Sequence, residues 1–278
     1  MRLVVKELDA SYRSRAVPAG TARYWSWLFA AAESRAALLG IYAVCAEWQA
    51  LTDPATDVSV ACLKLAWWRE EMLRLAARSP VHPLSVYLAE LPHAAAVDFS
   101  PLIAAVDAAA AQVSGVPLEC SADLLPQSQA LWGGPLMLAS QLAGHGAGDT
   151  GLGECTRALA AARYLSAAIR DYRRQANAGR VPFAVDELMA EGIGNDDLLA
   201  ASPPPHLCGY LELLRVRAAR LFDSAPRELS REQRLRHRHF LVLAALGADR
   251  LHARAPSAAR ARLSDMLLAW NTARRAGR

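Results

Sequence analysis

The sequence lacks the paired cysteines of a disulfide framework or a structural zinc site. Its five cysteines are odd in number and widely spaced, at Cys45, Cys62, Cys120, Cys155 and Cys208. Small secreted domains and zinc modules place cysteines in closely spaced pairs. We therefore expect five reduced, core-forming cysteines in a protein of the cytoplasm.

Long apolar runs are also missing, and a secretory leader is not expected. The first ten residues carry early charges at Arg2 and Lys6, which does not suit a secretory signal. The longest stretch without Asp, Glu, Lys or Arg, residues 124–148, contains glutamine, proline and glycine, so we expect buried helix segments there instead of a membrane span. A peripheral contact with the inner membrane is left open.

No alternating run is long enough to predict a sheet, and no fixed period predicts a solenoid. Alanine, leucine and arginine dominate, and all three favour helices. With 53% hydrophobic and 21% charged residues, the composition is that of a globular protein. We predict an all-α fold, a single domain over residues 1–278 with a ligand pocket between its helices.

Basic charge is concentrated in the second half of the chain. The net charge is only +4, yet most arginines follow Arg157. This asymmetry suits phosphate-bearing ligands or an anionic surface. Aromatic residues do not alternate with the basic ones as on a nucleic-acid stacking platform, so no nucleic acid is expected as a partner.

Helical periodicity and its breakers predict roughly ten helices. Asp53-Pro54 should end the helix that starts near Arg35, and Thr56 or Asp57 should cap the next one. Further helices are expected at 83–90, 101–113, within 118–144, and at 154–178, 185–192, 206–223, 230–251 and 257–274, with a short one at Asn195.

Two further motifs are explained more simply by structure than by ligand binding. The glycines of residues 146–151 match GxGxxG by letter but follow a helix, so a flexible linker is expected. His237 and His239 would lie about 200° apart on one helix and could not easily share a metal, so a solvated basic face is expected.

Residues 164–187 carry most of the functional signal. Tyr164, Ala168, Asp171 and Gln175 recur at offsets that bring them back to one helix face, beside several arginines. A Gly179-Arg180 turn closes the segment. One acid and one amide therefore point the same way in a basic environment.

Three segments together resemble the squalene/phytoene synthase family. They are RAALLGIYAVC at 35–45, LAWWREE at 65–71 followed by His82-Pro83, and AAIRD at 167–171 followed by Gly179-Arg180. The resemblance spans most of the chain in the family's order. It implies the isoprenoid-synthase fold, a helical bundle around a central cavity, and head-to-head joining of two prenyl diphosphates.

The resemblance also implies roles for single residues. Asp53 and Asp171 would be Mg²⁺ ligands, and Tyr42 and Tyr164 would be catalytic groups near the carbocation. The substrate-binding residues would be Arg35, Gln49, Arg170, Gln175 and Arg180, with the arginines holding diphosphate oxygens. A squalene-forming member would also use NADPH.

The chain departs from the family pattern at the metal site. The family's paired aspartates fall at positions 49 and 53 and at 171 and 175, and here each pair keeps one acid and has glutamine at the other place. An amide oxygen can bind magnesium but adds no negative charge. The sequence around Glu47, Asp53 and Trp68 is similar to a divergent branch that includes the mitochondrial respiratory complex I assembly factor.

Three functions are left open by these residues. One is an Mg²⁺-dependent prenyltransferase acting on prenyl diphosphates. The second is a non-catalytic member that acts as an assembly factor or binds an isoprenoid lipid or a protein partner, and the third is an unrelated function of a helical protein. Structural roles also stay open: Asp53 could only end its helix, Asp171 could pair with Arg174 three residues later, and Arg180 could cap a last turn.

Overall fold

Helices make up the regular structure of the computed structural model, which describes residues 8–146, 148–252 and 263–277. Within those ranges no strand forms, and Leu118 and Ala184 share one isolated bridge. The all-α prediction is confirmed. The helices are α1 Ala10–Ala16, α2 Ala22–Phe29, α3 Arg35–Leu51, α4 Val58–Ala76, α5 Pro83–Ala89, α6 Ser100–Val113, α7 Leu124–Ser128, α8 Gly134–Leu142, α9 Thr150–Asn177, α10 Val185–Ala190, α11 Asn195–Leu199, α12 Pro205–Ser224, α13 Arg231–Arg236, α14 Arg238–His252 and α15 Leu263–Arg275.

Helix boundaries follow local chemistry. α3 ends just before Asp53-Pro54, as predicted, because the residue before a proline avoids the helical region. The Asp57 carboxylate accepts the Val60 N–H at 3.0 Å and begins α4. At α9, the Asp149 carboxylate caps the first turn by accepting the Leu152 N–H, so this helix starts four residues earlier than its predicted start at residue 154.

The described residues hold more helices than the ten predicted, because α1 and α2 were not predicted and one predicted segment is split. The single helix expected over 230–251 breaks at His237, which ends α13. The helix expected at 257–274 begins, as far as it is described, at Leu263; residues 257–262 lie outside the described ranges.

The predicted interruption between α7 and α8 is a π-helical turn over Gln129–Gly133. Pro135, which has no N–H to donate, follows it at the start of α8. The wider π turn inserts an extra residue into the helix. It places Trp132 on the side that faces α9.

The core is built around α9. Its buried residues include Leu152, Cys155, Leu159 and the small run 160–162, all with at most 1% exposure. Small side chains allow the neighbouring α8, α12 and α14 to approach closely. None of the described helices combines the length and apolar character of a bilayer-spanning segment.

Glu71 anchors the loop between α4 and α5. Its side chain is fully buried, and its carboxylate accepts the backbone N–H groups of Val81 and His82 at 3.0 and 2.8 Å. Arg74 donates to the second oxygen at 2.8 Å. Glu71 and His82 both belong to the segments that resemble the family. Their hydrogen bond therefore stabilises the loop between α4 and α5.

Replacing Glu71 with alanine should lower the free energy of unfolding by about 3 kcal/mol, because two buried N–H donors and a guanidinium lose their acceptor. Urea unfolding measures the loss. Glu70→Ala, on the exposed side of α4, is the matched control and should change the value by about 0.5 kcal/mol or less. An equally small effect of Glu71→Ala would contradict this role.

The prediction that His237 and His239 lie on a solvated basic face is wrong. Both imidazoles are buried, at 2% and 1% exposure, and their ring centroids lie 5.8 Å apart. His145 adds a third ring 5.7 Å from that of His237. The break between α13 and α14 turns both side chains inward, and the Arg238 guanidinium donates to the carbonyls of Phe29 and Ala30.

This histidine cluster should make stability fall in acid. Burial, then the nearby His145 and Arg236, lower the pKa of His237 to about 4; Asp149 and Glu33 oppose the shift. Burial also lowers the pKa of His239, with His237, Arg238 and His145 adding to the effect. The unfolded state then binds more protons than the native state between pH 6.5 and about 4, so stability is complete above pH 6.5 and falls as the pH drops through that window.

Urea unfolding at pH 7, 6 and 5 checks this dependence. His239→Met, which keeps the volume and removes a titrating group, should flatten the curve. His206→Gln, an exposed histidine beside Asp197, serves as the control and should leave most of the curve unchanged. Identical curves for wild type and His239→Met would refute a contribution of this histidine.

Candidate functional site

The C-terminal ends of α3 and α9 meet in a basic junction. Arg174 on α9 donates to the Asp53 carboxylate, just past α3, at 2.8 Å. The Arg180 Nη1 group donates to the Thr52 carbonyl at 3.1 Å. We call these four residues the α3–α9 junction. Two of the predicted site residues, Asp53 and Arg180, are thus brought together across more than a hundred residues of sequence.

The Asp53 carboxylate has two partners at this junction. Its Oδ1 atom accepts the Ala55 N–H at 2.9 Å as well as the Arg174 guanidinium. The Ala55 hydrogen bond and then the Arg174 hydrogen bond lower the pKa of Asp53. The side chain is therefore an ionised, arginine-paired carboxylate, and it also ends the α3 segment as one of the structural alternatives supposed.

Asp171 is paired with its sequence neighbour. The Arg170 Nε atom lies 3.1 Å from each Asp171 oxygen, and Nη2 lies 2.6 Å from Oδ2. This hydrogen bond raises the pKa of Arg170. The partner of Asp171 is thus Arg170 and not Arg174, which bonds Asp53 instead.

Arg180 reaches the junction because of the turn that ends α9. Gly179 adopts φ of +72°, which favours glycine, and the Arg180 N–H returns to the Gln175 carbonyl at 2.9 Å. The Arg180 side chain is only 6% exposed, and its Nε and Nη2 atoms have no hydrogen-bond partner among the described residues. A buried guanidinium with two free donors is suited to an anion.

A cavity lies deeper between α2, α3, α8 and α9. Its lining includes Arg23, Tyr42, Cys45, Gln49, Trp132 and Arg163, and we call it the interior cavity. Arg23 Nη1 donates to Gln49 Oε1 at 3.2 Å. The Arg163 guanidinium carbon lies 4.0 Å from the Trp132 ring centroid. Gln49 thus faces an arginine, where the resemblance implied a metal-binding acid.

The two tyrosines occupy buried positions and remain neutral. Tyr42 lines the interior cavity, and its hydroxyl lies 3.0 Å from the Ser26 hydroxyl. The Tyr164 hydroxyl donates to the Pro182 carbonyl at 3.4 Å. Burial raises the pKa of both phenols, that of Tyr164 to about 12. Neither phenol is prepared to act as a base near neutral pH.

Arg35 is not brought to the other predicted residues. It starts α3, at the opposite end from Asp53, and its guanidinium donates to the carbonyls of Leu28 and Ala30. Gln175 lies half-buried on α9 near the junction, where its backbone carbonyl accepts a hydrogen bond from the Arg180 N–H. The predicted set is therefore divided between the junction, the interior cavity and the start of α3.

Sequence reasoning missed Arg23 and Arg163. A readable signal existed for Arg163, because Arg163, Arg170 and Arg174 recur at offsets of seven and four on α9 and lie near one angle of the helix. Arg163 also lies one helical turn after Leu159, which is buried, so the two side chains share the inward face of α9. No comparable pattern marks Arg23 in the short α2.

The residues present do not fit a cluster of magnesium ions. Each motif contributes one carboxylate, and both carboxylates are ion-paired with arginines of this chain. In the described ranges, no three His, Cys, Asp or Glu side chains gather as a ligand set. Magnesium prefers uncommitted carboxylate oxygens together with phosphate. The donors at the junction are mostly guanidinium groups, which bind anions directly.

Asp53→Asn and Asp171→Asn should each change the free energy of unfolding by about 1 kcal/mol or less. Both carboxylates belong to solvent-accessible ion pairs, which contribute little to stability. Urea unfolding of the two variants is the measurement. A loss of several kcal/mol in either variant would mean that its ion pair holds the fold together.

The sequence and the fold are both similar to those of known proteins. The model of the squalene/phytoene synthase family matches residues 17–269. A dehydrosqualene synthase solved in complex with a ligand superposes with a TM-score of 0.74 at 14% identity, over 95% of this chain and 94% of that one. Squalene synthase HpnC from Alicyclobacillus acidocaldarius superposes with a TM-score of 0.68 at 19% identity, over 88% and 94%.

These similarities confirm the expected isoprenoid-synthase fold. No curated protein matches the sequence. At 14% and 19% identity, these superpositions establish the fold and not the chemistry of this chain.

Proposed function

The chain belongs to the squalene/phytoene synthase family, and from this premise we propose that it binds the anionic head of a prenyl diphosphate or related isoprenoid lipid without magnesium-dependent condensation. The α3–α9 junction is the proposed headgroup site. Arg180 is its central clamp, and Arg170 and Arg174 exchange their carboxylate partners for phosphate oxygens when the ligand binds.

The observation that carries this proposal is the state of Arg180. Its guanidinium is buried and two of its nitrogen atoms lack a partner in the described part of the chain. Leaving a buried charged donor unsatisfied is costly, and a phosphate oxygen would remove that cost. Arg174 lies at the same junction through Asp53, so a diphosphate would meet at least two guanidinium groups.

Two further observations argue against condensation of two prenyl chains. Both carboxylates expected to hold magnesium are engaged by arginines. The interior cavity leaves space for the centre of about one water-sized group, some 10 Å³. A prenyl tail would have to displace side chains such as Trp132 and Leu136 before it could enter. The headgroup is therefore the better-supported part of the ligand.

Calorimetric titration with inorganic pyrophosphate and with farnesyl diphosphate tests the headgroup site. We expect similar affinity in EDTA and in Mg²⁺, and a loss of about tenfold in Arg180→Met, a change that keeps volume and removes the charge. Arg157→Met, an exposed arginine on α9 that is paired with Glu154, should bind as wild type. Binding that requires Mg²⁺, or an affinity in Arg180→Met equal to that of wild type, would refute the proposal.

Turnover tests the absence of condensation. Protein incubated with farnesyl or geranylgeranyl diphosphate, Mg²⁺ and NADPH should yield no hydrocarbon on extraction. The double variant Gln49→Asp, Gln175→Asp returns both missing carboxylates and should make pyrophosphate binding respond to Mg²⁺. Hydrocarbon made by wild type and lost in Asp171→Ala would establish the prenyltransferase instead.

A scaffold role with a protein partner is the second candidate. Val60, Leu63 and Trp67 repeat at offsets of three and four on α4 and are 44%, 73% and 46% exposed. Such an apolar stripe on a helix is typical of a contact surface. Leu63→Glu should remove a partner that co-purifies with wild type from its native cells, and unchanged co-purification would exclude this surface.

A further inference from the structure

The interior cavity holds two cationic side chains and no carboxylate. Arg23 from α2 and Arg163 from α9 both line it, together with Tyr42, Cys45 and Gln49. The strongest influences on the pKa of Arg163 are burial and then Arg23, while Tyr42 and Cys45 oppose the shift and no carboxylate takes part. The cavity therefore brings like charges together inside the fold.

This arrangement is unfavourable unless something neutralises it. Removing a guanidinium from water costs several kcal/mol, and a second one nearby adds repulsion. Burial, followed by Arg23, lowers the pKa of Arg163 to about 10, and burial lowers the pKa of Arg23 as well. Arg163 remains charged at neutral pH, because a pKa of about 10 is still far above it. Arg23 is also a guanidinium, a group that proteins do not deprotonate.

The protein partners of the two arginines are neutral. Arg23 donates to the Gln49 amide oxygen at 3.2 Å. Arg163 lies over the Trp132 ring, whose π face stabilises a cation only modestly. A guanidinium has five N–H donors, and these contacts occupy few of them. Each arginine therefore keeps donors without a partner among the described residues, and both guanidinium side chains line the same cavity.

No group of the cavity supplies the missing negative charge. The Tyr42 hydroxyl is bonded to Ser26. Burial raises the pKa of the Cys45 thiol to about 12, and the two arginines only partly offset this. The thiol and the phenol therefore both stay protonated, and the charge must come from outside the chain.

The dimensions of the cavity select the anion. Space for the centre of about one water-sized group, some 10 Å³, admits a halide ion or the oxygen end of a carboxylate. Phosphate and sulfate are larger and need more room than this.

We infer that the interior cavity is a metal-independent site for one small monovalent anion, a halide or a carboxylate, held between the guanidinium groups of Arg23 and Arg163. The bound anion neutralises the like charges and stabilises the packing of α2, α3, α8 and α9. This site is separate from the proposed headgroup site, whose clamp is Arg180, and each can fail without the other.

Thermal unfolding at constant ionic strength tests the site. Raising chloride or formate from 1 to 100 mM, against sulfate, should increase the midpoint temperature by about 3 °C. The same exchange should have no such effect in Arg163→Leu, and that variant should unfold at a higher temperature than wild type in sulfate, because it removes an unneutralised buried charge. A response in chloride but not formate would identify a halide site.

Arg157→Leu is the matched control, since Arg157 lies on the same helix but is exposed and paired with Glu154. It should keep the full response to chloride. Equal responses of wild type to chloride and sulfate, or a full response in Arg163→Leu, would overturn the inference. If Arg163→Leu does not fold, Arg23→Gln gives the same test from the other side of the cavity, and a bromide-soaked crystal should show anomalous scattering between the two guanidinium groups.

Discussion

The close packing of α9 is the constraint on which the rest of the structure depends. This helix runs through the core with Leu152, Leu159 and Leu165 almost completely buried and a run of small residues at 160–162. Small side chains let α8, α12 and α14 approach, and the helix is then fixed in rotation. Because rotation is fixed, Arg163 must face the interior and Arg174 must meet the end of α3. The electrostatics of both sites follow from apolar packing.

Arginine supplies most of the charge at the α3–α9 junction and in the interior cavity. A site with four uncommitted aspartates would be strongly negative and would require cations before it could accept a diphosphate. Here one acid of each pair is glutamine, and the remaining two are bonded to Arg174 and Arg170. The balance of the junction and of the interior cavity is therefore basic. Such a surface attracts an anion directly, and this difference separates the proposed binding function from prenyl transfer.

Much of the fold could be predicted because its determinants are local. Proline at position 54 and the Asp57 cap define the gap between α3 and α4, and both act through neighbouring residues. The site was only partly predictable. Asp53 and Arg180 belong to recognisable motifs, but Arg23 lies in a short helix without periodic signal. The burial of His237 and His239 depends on a break between α13 and α14 that no proline or glycine announces.

The sequence by itself determined the all-α class, most helix positions, the family, and the glutamines at positions 49 and 175, where the resemblance implied acids. These properties depend on hydrophobic periodicity, helix-breaking residues and residue identity, all of which can be read directly from the sequence. Only the tertiary structure decided which charges meet. Asp53 pairs with Arg174, Asp171 with Arg170, and Arg23 lies near Arg163 because helices distant in sequence pack side by side. A charge has no functional meaning until its partner and its burial are known, and neither is a local property.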